Sequence, residues 1–352
     1  MRRSLSALLF ASVSASAFAQ APVTLGVMFR TGGQTSGLNP ILYDVNTSTG
    51  AATNPRNVNV NNTVGIAIDP ATGVLYGLTD QFGRINNISG QGGKNLIFTI
   101  NPTTGTATAV GRVDPTGIFQ VFEGDIAFSP ADGSFWGVTT LINTARLFTI
   151  DKTTGAAALG AVVQPSTGTD LDISALTFDS AGTMYLLDTR YPINPGPALL
   201  LRVDKDSGEI LRSWNTGIAM GAVAGMAFVN GQLFITDGDT AGTNRLYRFD
   251  FDSGEIIDVG PTNAAGGIYQ GLAGLVHGCV GGPCATLACD DIDFNNNDVF
   301  PEDQDVIDFF NVLAGADCPA CNDIDFNNNG VFPEDQDVID FFNVLAGGAC
   351  VP

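Results

Sequence analysis

The chain has 352 residues, 15 of them Lys or Arg, 36 Asp or Glu and one His, for a net charge of −21. No basic run exists beyond Arg2 and Arg3, so the clustered cations that a polyanion requires are missing: nucleic acid is excluded and anionic membrane surfaces are disfavoured. One histidine, and cysteines confined to positions after 278, leave no material for histidine-built zinc sites, Ser-His-Asp chemistry or a thiol nucleophile in the long N-terminal part. Phosphate-loop and dinucleotide-binding glycine patterns are also missing.

Residues 1–19 read as a signal peptide. Arg2 and Arg3 precede a short apolar stretch, and Ala17-Phe18-Ala19 suits signal peptidase, so the mature chain is expected to begin near Gln20. The stretch is too short to span a bilayer. A secreted or cell-surface location follows, and it agrees with the use of disulfides.

Residues 20–277 are poor in charge and rich in Gly, Thr, Ala and Phe, and two phrases alternate along them. The first is strand, turn, strand: GIAIDPATGVLYGLTD from Gly65, DIAFSPADGSFWGVTT from Asp125, ALTFDSAGTMYLLDT from Ala175 and GMAFVNGQLFITDGD from Gly225. The second is a strand ending in a polar turn, whose glycines are Gly50, Gly105, Gly155, Gly208 and Gly254, spaced 55, 50, 53 and 46. That is one four-stranded unit per fifty residues or so, and such units bury their faces only by packing in a ring. The fold expected is an all-β five-bladed β-propeller. Five second phrases and four first phrases leave one blade without its inner strand, which Gly271–Val276 can supply to the blade begun by Val23–Val45. A β-sandwich is the alternative, but it leaves the fifty-residue period unexplained.

Carboxylates gather near the expected strand ends. Glu123 and Asp125 precede one inner strand, Asp170 and Asp172 the next, and these four form a possible ligand mouth. Asp80, Asp188 and Asp237 follow second strands, with Arg190 near Asp188. Paired carboxylates can cleave a glycoside or ligate a cation, but Asp and Glu at strand ends more often hold turns, and no catalytic residue is assigned. Trp136, Tyr185 and Tyr191 are candidates for stacking on sugars, although Trp136 within SFWGV reads as core. His277 is placed at the domain edge as a solvated residue, and 278–288, with Cys279 and Cys284, is the linker.

Residues 289–352 are one 32-residue unit written twice, identical at 26 positions. Oxygen donors recur at alternate positions, Asp293, Asn295 and Asn297 in the first copy and Asp325, Asn327 and Asn329 in the second. Gly330 follows in the second copy, with Asp298 in its place in the first, and an acidic cluster then opens an apolar run of helical spacing, Val338–Ala346. This pattern resembles the type I dockerin, a paired loop-and-helix calcium module. The resemblance implies two calcium ions. It assigns the first to Asp293, Asn295, Asn297, the Val299 carbonyl and Asp305, and the second to Asp325, Asn327, Asn329, the Val331 carbonyl and Asp337. The family's closing position falls on Gln336, so either Asp337 closes a loop longer by one or Asp335 closes a shorter one; the helical run that follows favours Asp337.

Each copy is bracketed by cysteines at equal separation, Cys289 with Cys318 and Cys321 with Cys350, which leaves Cys279 with Cys284. Six cysteines allow about 15 connectivities, so this pairing is an expectation. The hydroxyl residues through which many dockerins meet their cohesin receptor are absent. The expected molecule is a secreted, non-enzymatic propeller that binds a ligand, glycan included, and is attached through the calcium module to a cohesin-like receptor or surface. The alternatives are a polysaccharide hydrolase or lyase carried on a dockerin, and a structural surface protein.

Overall fold

The structure, a computed structural model, describes residues 22–28, 40–80, 83, 95–113, 121, 124–141, 144–164, 171–190, 196–221, 224–237, 244–264, 272–280, 289–290, 292–297, 299, 302–327 and 334–346. The expected signal peptide lies outside them. The chain forms two compact units, one holding Pro22–Cys284 and the other Ala285–Pro352.

The first unit is a ring of five four-stranded antiparallel sheets. Blade 1 contains β1 (Val23–Met28), β2 (Ile41–Val45) and β3 (Ala52–Asn57). Blade 2 is β4 (Thr63–Ile68), β5 (Leu75–Thr79), β6 (Leu96–Ile100) and β7 (Ala107–Arg112). Blade 3 is β8 (Gly124–Phe128), β9 (Phe135–Leu141), β10 (Thr144–Ile150) and β11 (Ala157–Val162). Blade 4 is β12 (Ile173–Phe178), β13 (Met184–Asp188), β14 (Pro197–Val203) and β15 (Ile210–Ala219). Blade 5 is β16 (Met226–Val229), β17 (Gln232–Thr236), β18 (Arg245–Phe249) and β19 (Ile256–Pro261). The last strand, β20 (Leu272–Gly278), returns to pair with β1 and becomes the inner strand of blade 1.

Inner strands β4, β8, β12, β16 and β20 each pack against the next around the ring. They are covered on both faces, which is why β4 and β12 are buried at every position. Outer strands such as β7 and β11 are mostly exposed or half-buried. Five apolar clusters fill the five seams between neighbouring blades; the last joins Tyr43 and Val45 of blade 1 to Phe234 and Leu246 of blade 5. No blade owns a core of its own, so closure of the ring is a condition of stability.

The period of the turn glycines has a physical cause. In each second phrase an Asn or Asp (Asn46, Asn101, Asp151, Asp204, Asp250) accepts the backbone amides two and three residues ahead. The chain then leaves the turn through a glycine at φ 74° to 79°. Most of these glycines also lie against the neighbouring blade: a Cβ on Gly50 would stand 2.5 Å from the Gly260 oxygen of blade 5, and one on Gly208 would overlap the Val162 oxygen of blade 3.

His277 departs from expectation. It lies in β20, half-buried, with its Nδ1 hydrogen-bonded to Thr24 Oγ1 at 2.9 Å, and burial lowers its pKa. It belongs to the ring-closing strand because that strand runs on past Val276 to Gly278.

The second unit carries two eleven-residue helices, α1 (Asp303–Leu313) and α2 (Asp335–Leu345). The second starts three residues before the apolar run that signals it, because Glu334 and Asp337 cap its first turn reciprocally. The copies pack as near equivalents. Asp290 N–H donates to the Phe326 carbonyl at 2.8 Å and Asn322 N–H to the Phe294 carbonyl at 2.9 Å, the same bond made once by each copy. Phe294, Phe309, Phe326 and Phe341 form the buried centre, with Phe309 and Phe341 stacked at 4.1 Å.

The disulfide expectation needs correction. Cys318 bonds to Cys321, not to Cys289, with Cα atoms 5.3 Å apart. Cys321 N–H donates to the Cys318 carbonyl at 3.1 Å, so the tight turn through Pro319-Ala320 at the junction brings the pair together locally, where equal spacing had suggested one long clip per copy. Cys279 and Cys289 each belong to a disulfide as well, and Cys284 and Cys350 lie outside the described residues.

Candidate functional site

The strongest convergence of polar oxygen is in the two loops of the second unit. In the first, Asp293 Oδ1 accepts the Asn297 amide at 3.0 Å and Asn297 Oδ1 accepts the Val299 amide at 2.8 Å, so the loop wraps on its own side chains. Asp305, in the first turn of α1, is fully buried. Its Oδ2 accepts the Glu302 amide at 3.2 Å, while its Oδ1 is buried without a hydrogen-bond partner. Asn295 Oδ1 is buried and unpartnered as well.

The second loop repeats this arrangement. Asp325 and Asn327 are buried; Asn329 and Val331 lie outside the described residues. Asp337 Oδ2 accepts the Glu334 amide at 3.2 Å, the Asn327 amide also bonds to its carboxylate, and its Oδ1 is buried without a partner. Burial raises the Asp337 pKa and the nearby Asp325 and Glu334 carboxylates add to the rise, against the lowering effect of the two amides. Asp335, by contrast, is exposed, so Asp337 is the carboxylate turned inward. Each loop carries two buried carboxylates and at least one side-chain amide, donor types suited to a hard cation. Among the described residues no three His, Cys, Asp or Glu side chains meet at one point.

Two residues escaped the sequence reading. Asp308 Oδ2 accepts from Asn295 Nδ2 at 3.1 Å, and Asp340 Oδ2, fully buried, accepts from Asn327 Nδ2 at 3.2 Å. Their signal was an acid kept in both copies inside the apolar run DVIDFFNVL. The run is also less buried than its periodicity suggests. Ile307, Phe310, Ile339 and Phe342 are 50%, 42%, 50% and 41% exposed, and the rings of Phe310 and Phe342 lie 6.0 Å apart.

At the propeller rim, Glu123, Asp170 and Tyr191 fall outside the described residues, and most of the other candidates are structural. Asp125, on β8, is 1% exposed. It accepts the Ile126 amide at 2.8 Å and, across the seam, the Leu176 amide of β12 at 3.1 Å, and burial raises its pKa well above the usual value. Asp188 Oδ1 accepts the Asp172 and Arg190 amides at 2.9 and 3.1 Å, and burial pushes its pKa up to about 6. Asp80 accepts from Asn62 Nδ2 at 2.9 Å and Asp237 from the Arg245 amide at 3.0 Å. Asp172 is 4% exposed. Asp80, Asp125, Asp188 and Asp237 hold strand ends and loops, the ordinary role of such residues. Trp136 and Tyr185 are 7% and 8% exposed and pack between blades, so neither offers a face to a sugar.

Residues 125–277 match a family described as a repeat of unknown function, DUF6923. That segment spans blades 3 to 5 and the closing strand. No curated protein matches the chain. Solved structures similar to it include an engineered GH43 glycoside hydrolase with endo-xylanase and exo-arabinofuranosidase activity, at 14% identity over 59% of this chain and 43% of that one, TM-score 0.43. A GH43 β-1,3-galactosidase is similar at 13% identity over 61% and 48%, TM-score 0.44. The GH43 endo-arabinanase from Bacillus licheniformis is similar at 15% identity over 60% and 83%, TM-score 0.39. The chain covers less than half of the first two, 43% and 48% of their lengths.

Proposed function

We propose that this chain is an exported, non-enzymatic propeller that presents a ligand-binding ring and is fastened to a receptor of cohesin type through its C-terminal calcium module. The observation that carries the module is the pair of carboxylate oxygens, Asp305 Oδ1 and Asp337 Oδ1, buried at equivalent places without a donor. An unsatisfied buried carboxylate oxygen is costly, and a cation bound in the loop removes that cost. Asp293, Asn295, Asn297, the Val299 carbonyl and Asp305 would hold one calcium ion, and Asp325, Asn327, Asn329, the Val331 carbonyl and Asp337 the other. Calcium would supply local positive charge to a unit whose 15 carboxylates face no Lys or Arg.

Docking is supported by the exposed Ile307, Phe310, Ile339 and Phe342 on helices that are otherwise amphipathic. The non-enzymatic reading is supported by Asp125 and Asp188, whose carboxylates are committed to backbone amides. Glycan is the ligand class to test first for the propeller. Calorimetric titration of the chain with calcium is expected to show two ions bound per chain, with affinities of about 10⁻⁴–10⁻³ M suited to an extracellular module. No binding of calcium overturns the reading of the loops; turnover of a polysaccharide by the purified chain overturns the reading of the propeller.

A further inference from the structure

We infer that Asp308 and Asp340 are positioning residues that aim the amide oxygens of Asn295 and Asn327 at the cation, an inference that rests on the calcium reading of the loops. An asparagine at a cation site must offer its oxygen and turn its NH2 away, and nothing in its shape decides between the two orientations. A carboxylate decides it, because it accepts only. Asn295 Nδ2 donates to Asp308 Oδ2 at 3.1 Å and Asn327 Nδ2 to Asp340 Oδ2 at 3.2 Å, both from loop to helix across thirteen residues. The consequence is visible in the first loop: with its NH2 held by Asp308, Asn295 is left with Oδ1 buried and unpartnered. Asp308 is itself held, since Gln304 Nε2 donates to its other oxygen at 2.9 Å.

The placement follows from helix geometry. Asp305 and Asp337 lie in the first turn of their helices, and Asp308 and Asp340 follow three residues later, on the same face. One helical face thus brings a carboxylate to the cation directly and a second carboxylate to the ligand beside it. Asp340 is fully buried amid the apolar run, so hydration of a surface helix does not explain it. Outer partners that orient metal ligands are worth roughly 10–100-fold in affinity.

The test is calorimetric titration of the full chain with calcium alone, comparing wild type with Asp340→Ala, Asn327→Asp and the double variant. Asp340→Ala is expected to weaken one of the two sites at least about tenfold, while the first loop, unaltered, reports that the unit is folded. Asn327→Asp alone sets two carboxylates against each other and also weakens that site. In the double variant the repulsion is gone and a carboxylate ligand needs no orienting, so affinity returns to within a few-fold of wild type. A helix-to-loop tie of purely structural value stays broken in the double variant and predicts an affinity no better than that of Asp340→Ala. A double variant that is not rescued, or an Asp340→Ala site of unchanged affinity in a wild type that binds two ions, overturns the inference and leaves the calcium reading standing. A wild type that binds no calcium overturns both. Asp308→Ala with Asn295→Asp repeats the test at the half-exposed copy.

Discussion

Asp125 occupies the space that a side chain at Gly65 would take: a Cβ on Gly65 would overlap Asp125 Oδ1 and stand 2.9 Å from its Cα. The two residues hold the same position in neighbouring inner strands, with Ala175, Gly225 and Gly274 at that position in the other blades. At this level of the ring the inner strands nearly touch, and the one side chain larger than a methyl group is used to bond the Leu176 amide of the next blade.

Gly65→Ala is therefore expected to destabilise the propeller by about 1–3 kcal/mol, the cost of overpacking. Asp125→Ala should cost a comparable amount, because it leaves the Ile126 and Leu176 amides buried without an acceptor. The double variant should cost less than the sum, since removing the carboxylate admits the new methyl group. Guanidinium unfolding of the four proteins measures this, and strict additivity would mean that the two sites do not share one space.

Asp188 predicts a pH dependence. Its folded pKa of about 6 lies above the ordinary 3.8, so the folded state holds the proton more tightly than the unfolded chain. The stabilisation is complete below the unfolded value and is lost as pH rises through the folded one, amounting to about 3 kcal/mol at roughly 1.4 kcal/mol per pKa unit. Asp188→Asn keeps an oxygen for the Asp172 and Arg190 amides and cannot ionise. Its urea stability should gain on wild type as pH rises from about 4 to 7; a constant difference across that range would count against the shift.

Ring closure by β20 can be tested by truncation. A chain ending at residue 271 removes the inner strand of blade 1 and opens the seams that Leu272 and Leu275 fill, so it should show no cooperative thermal transition. A chain ending at residue 284 keeps the whole first unit and should retain one. Cooperative melting of the shorter chain would show that the strand is dispensable.

The disulfide at the repeat junction should appear in non-reducing peptide mapping as Cys318 joined to Cys321. Cys318→Ser should then release a reactive thiol at Cys321 and leave Cys289 unreactive. A thiol freed at Cys289 would restore the symmetric clips that equal spacing suggests.

Much of the propeller is legible along the chain, because its blades are local. Each hairpin is written in consecutive residues, each polar turn needs an Asx acceptor and a left-handed glycine, and the fifty-residue spacing of Gly50, Gly105, Gly155, Gly208 and Gly254 is the blade itself. Even the missing strand can be counted, since four first phrases cannot fill five blades. The oxygen pattern of the repeats is equally local, as alternate donors in a short loop must face one way.

Tertiary structure alone decided the rest, wherever the deciding partner is distant in sequence or its distance cannot be read from spacing. Asp125 reads as a mouth residue until Leu176, from the next blade, is seen to bond it. Equal spacing pairs Cys318 with Cys289, and only the turn at Pro319-Ala320 selects Cys321. Ile339, Phe341 and Phe342 belong to one apolar run, yet only Phe341 reaches the centre, because that centre is set by Phe294, Phe309 and Phe326 from other segments. The sequence by itself determined which residues form blades and loops, since turn chemistry and strand patterning act over a few residues. Which carboxylates are free to act on a ligand was decided by the seams and loop-to-helix contacts, where a hydrogen bond joins residues that the chain keeps far apart.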